Sequence, residues 1–292
     1  RRVDMALQLA LNALHSSSLY ALVALGLTLV LGVLDIADFA QGAIYMLGAY
    51  TAYFATSLLG LSFFVALPLA MLIGALLAAT NYLVVYRPLR RFSGATTFIA
   101  ALGLLLILQN LALQAFGADF RLVKAPFADV RVGFLGATWT GYQVVIAAAV
   151  AVLVVGAWAF LKFTPVGMAL RAVSQNRRGA LVVGLDPFRV EVVAFLLAGA
   201  LAGAAGTLAS GVNAFDPSIA AIVVIKAFAI VIFGGMGSVP GAIVGALIVG
   251  LAENLTAGLV NTQYAELTAF VLMVLVLLVR PRGLFGPPEA KL

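Results

Sequence analysis

Apolar residues along the 292-residue chain gather into nine long runs, near residues 8–33, 40–59, 63–86, 95–116, 142–161, 191–211, 219–233, 241–260 and 265–280. A helix needs about 20 mostly apolar residues to cross a bilayer. No charged residue occurs from Phe39 to Tyr86, so that stretch holds two crossings, with the turn expected at Leu59-Gly60-Leu61-Ser62. Backbone polar groups in hydrocarbon must be satisfied within the element, which leaves helices or a closed barrel. Barrel strands alternate apolar and polar positions, and runs such as Ala100–Leu113 and Val144–Phe160 do not. The pattern predicts an all-α, polytopic helical membrane protein with about 8–9 hydrophobic segments, since the run 219–233 is short and contains Lys226. Small residues at Gly199/Gly203 and Gly241/Gly245 predict close helix packing.

The interruptions carry the candidate chemistry. LDIADFAQGAIYMLGAY (Leu34–Tyr50) places Asp35, Asp38 and Gln41 at spacings of three, which on a helix would put them on one face. An ionised carboxylate facing lipid at mid-span costs roughly 2.5–3.5 kcal/mol, so these side chains face protein, water or the membrane surface. Two readings compete: a turn in which Asp38 caps a helix starting near Phe39, or a broken helix lining a path. A second interruption, FGGMGSV (Phe233–Val239), parallels GVLDIAD (Gly32–Asp38), and the QGAIYMLGAY that follows the first lines up with PGAIVGALIVG (Pro240–Gly250). Paired interrupted segments in two halves of a chain point to a translocation site. Candidate pathway residues are therefore Asp35, Asp38, Gln41, Gly234, Gly235, Gly237 and Ser238, joined by Lys226 and Glu253. Lys226 is the only charge between Asp216 and Glu253. It either snorkels to an interface or pairs with Asp35, Asp38 or Glu253. His15, followed by three serines, reads as a satisfied helix-packing patch rather than a ligand or a base.

Composition narrows the class. The chain is 64% hydrophobic and 10% charged, with a mean hydropathy of +1.16 and no cysteine, which removes disulfides and thiolate metal sites. Its net charge of +6 fits basic loops facing anionic lipid rather than nucleic acid. Arg87, Arg90 and Arg91, then Lys162, Arg171, Arg177, Arg178 and Arg189, then Arg280, Arg282 and Lys291 make 11 of the 17 basic residues. Alternation puts these three groups on one side, read as the cytoplasm of a bacterial-type inner membrane. The loop 117–141 then lies outside, and the side of the N-terminus stays open. No cleavable signal peptide is expected before the first run, and no linker divides the chain, so 1–292 reads as one transmembrane domain.

Within the basic loop, Met168, Leu170, Val173, Leu181 and Val182 interleave with Arg171, Gln175, Asn176, Arg177 and Arg178. Such an amphipathic piece lies on anionic lipid or serves as a handle for a soluble partner. At this point three stretches, GLTLVLGVLDIADFAQGAIYMLGAY, ALRAVSQNRRGALVVGLD and KAFAIVIFGGMGSVPGAIVGAL, resemble the LivH-type permease subunits of ABC importers for branched-chain amino acids, from about Leu14 to Phe285. The resemblance implies that residues 164–190 form a cytoplasmic coupling loop docking on an ATPase, with Arg171, Ser174, Gln175, Asn176, Arg177, Arg178, Gly184 and Asp186 at the contact. It also implies a second homologous permease chain, two ATP-binding cassette subunits and a periplasmic or extracellular substrate-binding protein.

No G-x-x-x-x-G-K-[ST] occurs in the sequence, so ATP hydrolysis is expected in partners and this chain is not read as an enzyme. One histidine and no H-E-x-x-H leave no hydrolase site, and no cofactor is expected. A stand-alone ion-coupled transporter or channel, with Asp35, Asp38, Lys226 and Glu253 as a relay, is the competing reading. An ABC permease for sugars or nucleosides is the nearer alternative.

Overall fold

The computed structural model describes residues 2–134, 137–280 and 283–285; Arg282 and Lys291 of the basic groups lie outside them. In chain order the first elements are α1 (Arg2–Leu34), α2 (Ala40–Ser57), α3 (Phe63–Asn81), a π-helical turn (Tyr82–Tyr86), α4 (Arg87–Leu89) and α5 (Gly94–Phe116). An antiparallel hairpin follows, β1 (Arg131–Phe134) and β2 (Ala137–Thr140), with Val132 opposite Trp139. Then come α6 (Gly141–Phe163), α7 (Pro165–Gln175), α8 (Arg177–Val182), α9 (Pro187–Ala209), α10 (Ile219–Gly234), α11 (Val239–Leu259) and α12 (Thr262–Val279).

All nine apolar runs are helical, and the chain is a polytopic helical membrane protein. Among the described residues seven helices are long and apolar enough to cross a membrane: α1, α3 with its continuation to Leu89, α5, α6, α9, α11 and α12. The other two fall short for different reasons. Helix α10 has 16 residues, about 24 Å at 1.5 Å per residue and less than the hydrocarbon thickness. Helix α2 is long enough but carries Gln41, Tyr45, Tyr50 and Tyr53, and it buries 12 of its 18 residues. It is wrapped by α3, α5, α9 and α10, so its surface meets protein rather than lipid and need not be uniformly apolar.

The small-residue pairs work as packing sites. Gly199 lies against Gly74 of α3, Gly203 against Ala70 of α3, and Gly241 against Gly234, each with no room for a Cβ. Backbones therefore approach closely, and α9 is clamped between α2 and α3.

Neighbouring helices fix the direction of the chain. Leu9 meets Gly258, Ser17 meets Gly250 and Gly32 meets Gly237, so α1 runs antiparallel to α11. Gln8 exchanges hydrogen bonds with the Thr138 backbone, its Nε2 donating to the carbonyl at 3.2 Å and its Oε1 accepting from the amide at 3.0 Å. The start of α1 thus sits at the end of the bundle that bears the hairpin. The opposite end gathers Arg87, Arg90, Arg91, Lys162, Arg171, Arg177, Arg178, Arg189 and the C-terminal end of α12.

Candidate translocation and coupling site

Both interruptions lie at the basic end, and they touch. Helix α1 stops at Leu34 because Asp35 takes φ 58°, in the left-handed region, which side chains other than glycine rarely adopt. From there to Asp38 the chain has no regular secondary structure. In the second interruption Gly235 (φ 106°) and Gly237 (φ 79°) make the turn, and the Ser238 hydroxyl accepts from the Gly241 amide at 3.1 Å to start α11. A Cβ on Gly32 would lie 3.2 Å from the Gly237 Cα. The amides of Leu284 and Phe285 donate to the carbonyls of Phe233 and Gly234, each at 2.9 Å, strapping the tail across the second break.

Asp35, Asp38 and Gln41 do not share a face, because the backbone between them is not helical. Asp35 is exposed. Asp38 is fully buried; its Oδ1 accepts from the Tyr86 hydroxyl at 2.5 Å and from the Ala40 amide at 3.0 Å. It therefore caps α2 from one residue further out than expected, while its Oδ2 has no partner among the described residues. Gln41 is buried and donates to the Ala198 carbonyl at 2.8 Å, tying α2 to the middle of α9.

Lys226 and Glu253 form a second cluster. Their charged atoms lie 2.6 Å apart, with side-chain exposures of 12% and 11%. The Tyr20 hydroxyl donates to the other Glu253 oxygen at 2.6 Å. Of the three carboxylates the sequence offers to Lys226, the structure selects Glu253. Asp38 is on the other side of α10: Phe228 stacks on Phe39 at 4.8 Å, and Lys226, two residues away on the helix, faces the opposite direction. His15 is buried, yet neither ring nitrogen has a partner among the described residues. It is not the satisfied packing residue that its serine neighbours suggest.

A third cluster went unmarked in the sequence. Glu191, near the start of α9, is fully buried and accepts from Tyr82, Arg90 and Arg177, the last at 3.1 Å. Arg177 belongs to α8 and Tyr82 opens the π-helical turn. Tyr82 and Tyr86, four residues apart and so on one face of the helix, both face Phe195 of α9, at 4.9 and 5.4 Å between ring centroids. From there they reach Glu191 and Asp38 respectively.

The residues expected at an ATPase contact lie along α7, α8 and the turn into α9. Arg171 donates to the Lys162 carbonyl at 3.2 Å, and Ser174 to the Arg171 carbonyl at 2.8 Å. Asn176 caps α8 through the Gly179 amide at 2.8 Å. Asp186 caps α9 through the Phe188 amide at 3.0 Å, after Gly184 has turned the chain at φ 82°. Gln175 and Arg178 are exposed. Leu170 and Val173 are buried, while Val182 is 87% and Val183 74% exposed at the tip.

A family model described as "Branched-chain amino acid transport system / permease component" matches residues 9–279. The chain belongs to that family. It is 33% identical over 298 residues to the high-affinity branched-chain amino acid transport system permease protein LivH of Salmonella typhimurium, covering 98% of this chain and 97% of that one. The LivM permease protein of Escherichia coli is 30% identical over 302 residues, covering 94% of this chain and 70% of LivM. Among solved structures, a chain of PsaBC from Streptococcus pneumoniae in complex with Fab shares the fold, with a TM-score of 0.51, 16% identity, and coverage of 93% of this chain and 91% of that chain. In this branched-chain amino acid permease family member, the resemblance carried by the two breaks and the basic loop extends over nearly the whole chain.

Proposed function

We propose that this chain is a permease subunit of an ABC importer for branched-chain amino acids, set in a bacterial inner membrane with its basic end in the cytoplasm. The whole chain acts as one transmembrane domain, with 164–190 as its coupling loop. The observation that carries the reading is Glu191, a buried carboxylate that holds Arg177 of the exposed α7–α8 corner and Arg90 and Tyr82 of the α3–α5 connection at once. A push on α8 reaches the base of α9 and the end of α3 through this one group. Helix α9 in turn grips Gln41, and the end of α3 grips Asp38 through Tyr86. Motion imposed at the corner thus arrives at the first break, which touches the second through Gly32 and Gly237.

The exposed Val182 and Val183 beside Arg171 and Arg178 suit docking into a groove of a soluble partner. That partner is one of two ATP-binding cassette subunits, since the sequence has no P-loop of its own. The similarity to both LivH and LivM supports a second, homologous permease chain beside this one, and a substrate-binding protein delivers to the hairpin end. The ion-coupled relay gains no support, because Asp35 and Asp38 stand apart from the Lys226–Glu253 pair.

Co-purification in mild detergent and leucine uptake by the reconstituted assembly test the reading. ATP-dependent uptake, with the ATPase lost on combining Arg171→Glu and Arg178→Glu, is expected. Leucine uptake by the purified single chain driven by an ion gradient overturns it.

A further inference from the structure

The buried residues of α6 are Gly141, Tyr142, Ile146 and Val150, all in its first half. From Val152 onward the helix stands off the bundle, and two adjoining cavities occupy the gap. The first, about 370 Å³, is apolar: Met71 of α3, Val152, Leu153 and Gly156 of α6, and Leu197 and Leu201 of α9 line it. The second, about 350 Å³, lies at the basic end, where Thr28, Trp158, Lys162, Arg171 and Ser174 line it. Leu29 and Leu161 belong to both walls, so one cavity runs into the other.

Together they have the depth and polarity of one bilayer leaflet. From Val152 to Lys162 α6 rises about 15 Å at 1.5 Å per residue, half of the roughly 30 Å hydrocarbon core. Trp158 is 44% exposed and the Lys162 ammonium lies 4.7 Å from its ring centroid, a pairing that suits the boundary between lipid and water. The bond from Arg171 to the Lys162 carbonyl holds the guanidinium over the end of α6. No Asp or Glu lines the second cavity, and neither cation pairs with a carboxylate among the described residues. Thr28 is only 1% exposed, yet its hydroxyl has no partner among the described residues, which costs free energy until an acceptor arrives.

We infer that this groove holds an anionic glycerophospholipid of the leaflet at the basic end. One acyl chain lies in the apolar cavity, the phosphate sits at Lys162 and Arg171, and the Thr28 hydroxyl donates to an ester carbonyl between them. The site is additional to the importer reading and does not depend on which molecule is carried. Charge selects the head group: two cations without a counter-ion favour phosphatidylglycerol, whereas the choline of phosphatidylcholine brings a further positive charge. Depth selects the tail, since inorganic phosphate leaves the apolar half unfilled. A helix of another chain, 10–12 Å across, needs at least roughly 1,200 Å³ along 15 Å, far more than the apolar cavity offers. Gly237 and Pro240 of the second break also line the polar cavity, so the bound lipid is a packing element between α6, α7 and that break.

The test uses the assembled transporter in phosphatidylcholine vesicles with a trace of phosphatidylglycerol that carries a photoactivatable group halfway along one acyl chain. Labelling of residues 152–161 is expected to exceed that given by phosphatidylcholine with the same chain by at least about tenfold. Gly156→Leu adds a side chain where a Cβ meets nothing within 4 Å, so the membrane level is expected to hold while labelling falls about fivefold or more. Lys162→Gln, at an exposed position, is expected to cut the preference for phosphatidylglycerol about threefold or more. Excess inorganic phosphate is expected to leave labelling unchanged; if it abolishes labelling, the cations hold free phosphate and the lipid site is overturned. Equal labelling by the two lipids, or labelling unchanged in both variants, overturns it as well. The chain has no cysteine, so a photo-cross-linker on Gly156→Cys reports what covers the groove; capture of another protein chain in place of lipid assigns it to a partner subunit and overturns the inference.

Discussion

Lys226 and Glu253 face each other across α10 and α11, nitrogen to oxygen at 2.6 Å, nine-tenths shielded from solvent. Tyr20 of α1 closes the far side of the carboxylate at 2.6 Å. Three helices are thereby joined by one pair of charges in an otherwise apolar stretch. Such a pair is more costly to break than to delete, because removing one partner leaves the other buried and unpaired.

Lys226→Met alone is therefore expected to destabilise the purified protein by about 3–5 kcal/mol. Adding Glu253→Gln restores most of the loss; adding Asp35→Asn or Asp38→Asn does not. Thermal melting in detergent and the level of protein in the membrane check this. Rescue by either aspartate variant contradicts the pairing.

Arg177→Gln separates coupling from stability. The Arg177 side chain is half exposed, and without it Glu191 still keeps Arg90 and Tyr82 as partners, so the protein level is expected to stay close to normal. Uptake is expected to collapse, because α8 loses its grip on α9. Glu191→Ala is expected to fail at the earlier stage of folding, since it leaves two guanidinium groups and Tyr82 without their common acceptor. Immunoblots of membranes beside uptake assays distinguish the two.

The apolar runs made the helices legible, since a span of about 20 apolar residues has few other fates. Both breaks were legible too, as glycine and aspartate clusters in oily surroundings. What could not be read was which side chains would meet. Glu191 stands 101 residues from Arg90 and 109 from Tyr82, and nothing local in the sequence says that the face shared by Tyr82 and Tyr86 meets α9. Asp35 and Asp38 were grouped by helical spacing, and a single left-handed residue placed one in solvent and the other in the core. The unmet hydrogen-bonding capacity of His15 is likewise a property of its neighbours on α10 and α12, which periodicity along α1 does not reveal.

Tyr86→Phe and Asp38→Asn test the first break from its two sides. Removing the Tyr86 hydroxyl strips a charged acceptor of a buried hydrogen bond, a loss of about 1.5–3 kcal/mol, and is expected to lower the amount of folded protein. Asp38→Asn keeps an oxygen for both Tyr86 and Ala40 and removes the charge at the break, so the level is expected to hold while uptake per molecule falls. Normal uptake per molecule with a reduced level would mark Asp38 as structural.

The contact between Gly32 and Gly237 gives a graded test of whether the breaks move together. Gly237 has φ 79°, where an L side chain costs about 1–2 kcal/mol, so Gly237→Ala strains the second turn directly. Gly32→Ala strains nothing by itself; its Cβ meets the Gly237 Cα at 3.2 Å, which a shift of a few tenths of an ångström relieves. Gly32→Leu admits no such shift and forces the two breaks apart. Uptake per molecule is expected to fall in the order Gly32→Ala, Gly237→Ala, Gly32→Leu, while ATP hydrolysis persists and loses its dependence on substrate. Passive connecting turns would tolerate the separation of the breaks, so full uptake by the Gly32→Leu protein at a normal membrane level rules out a shared hinge at this contact.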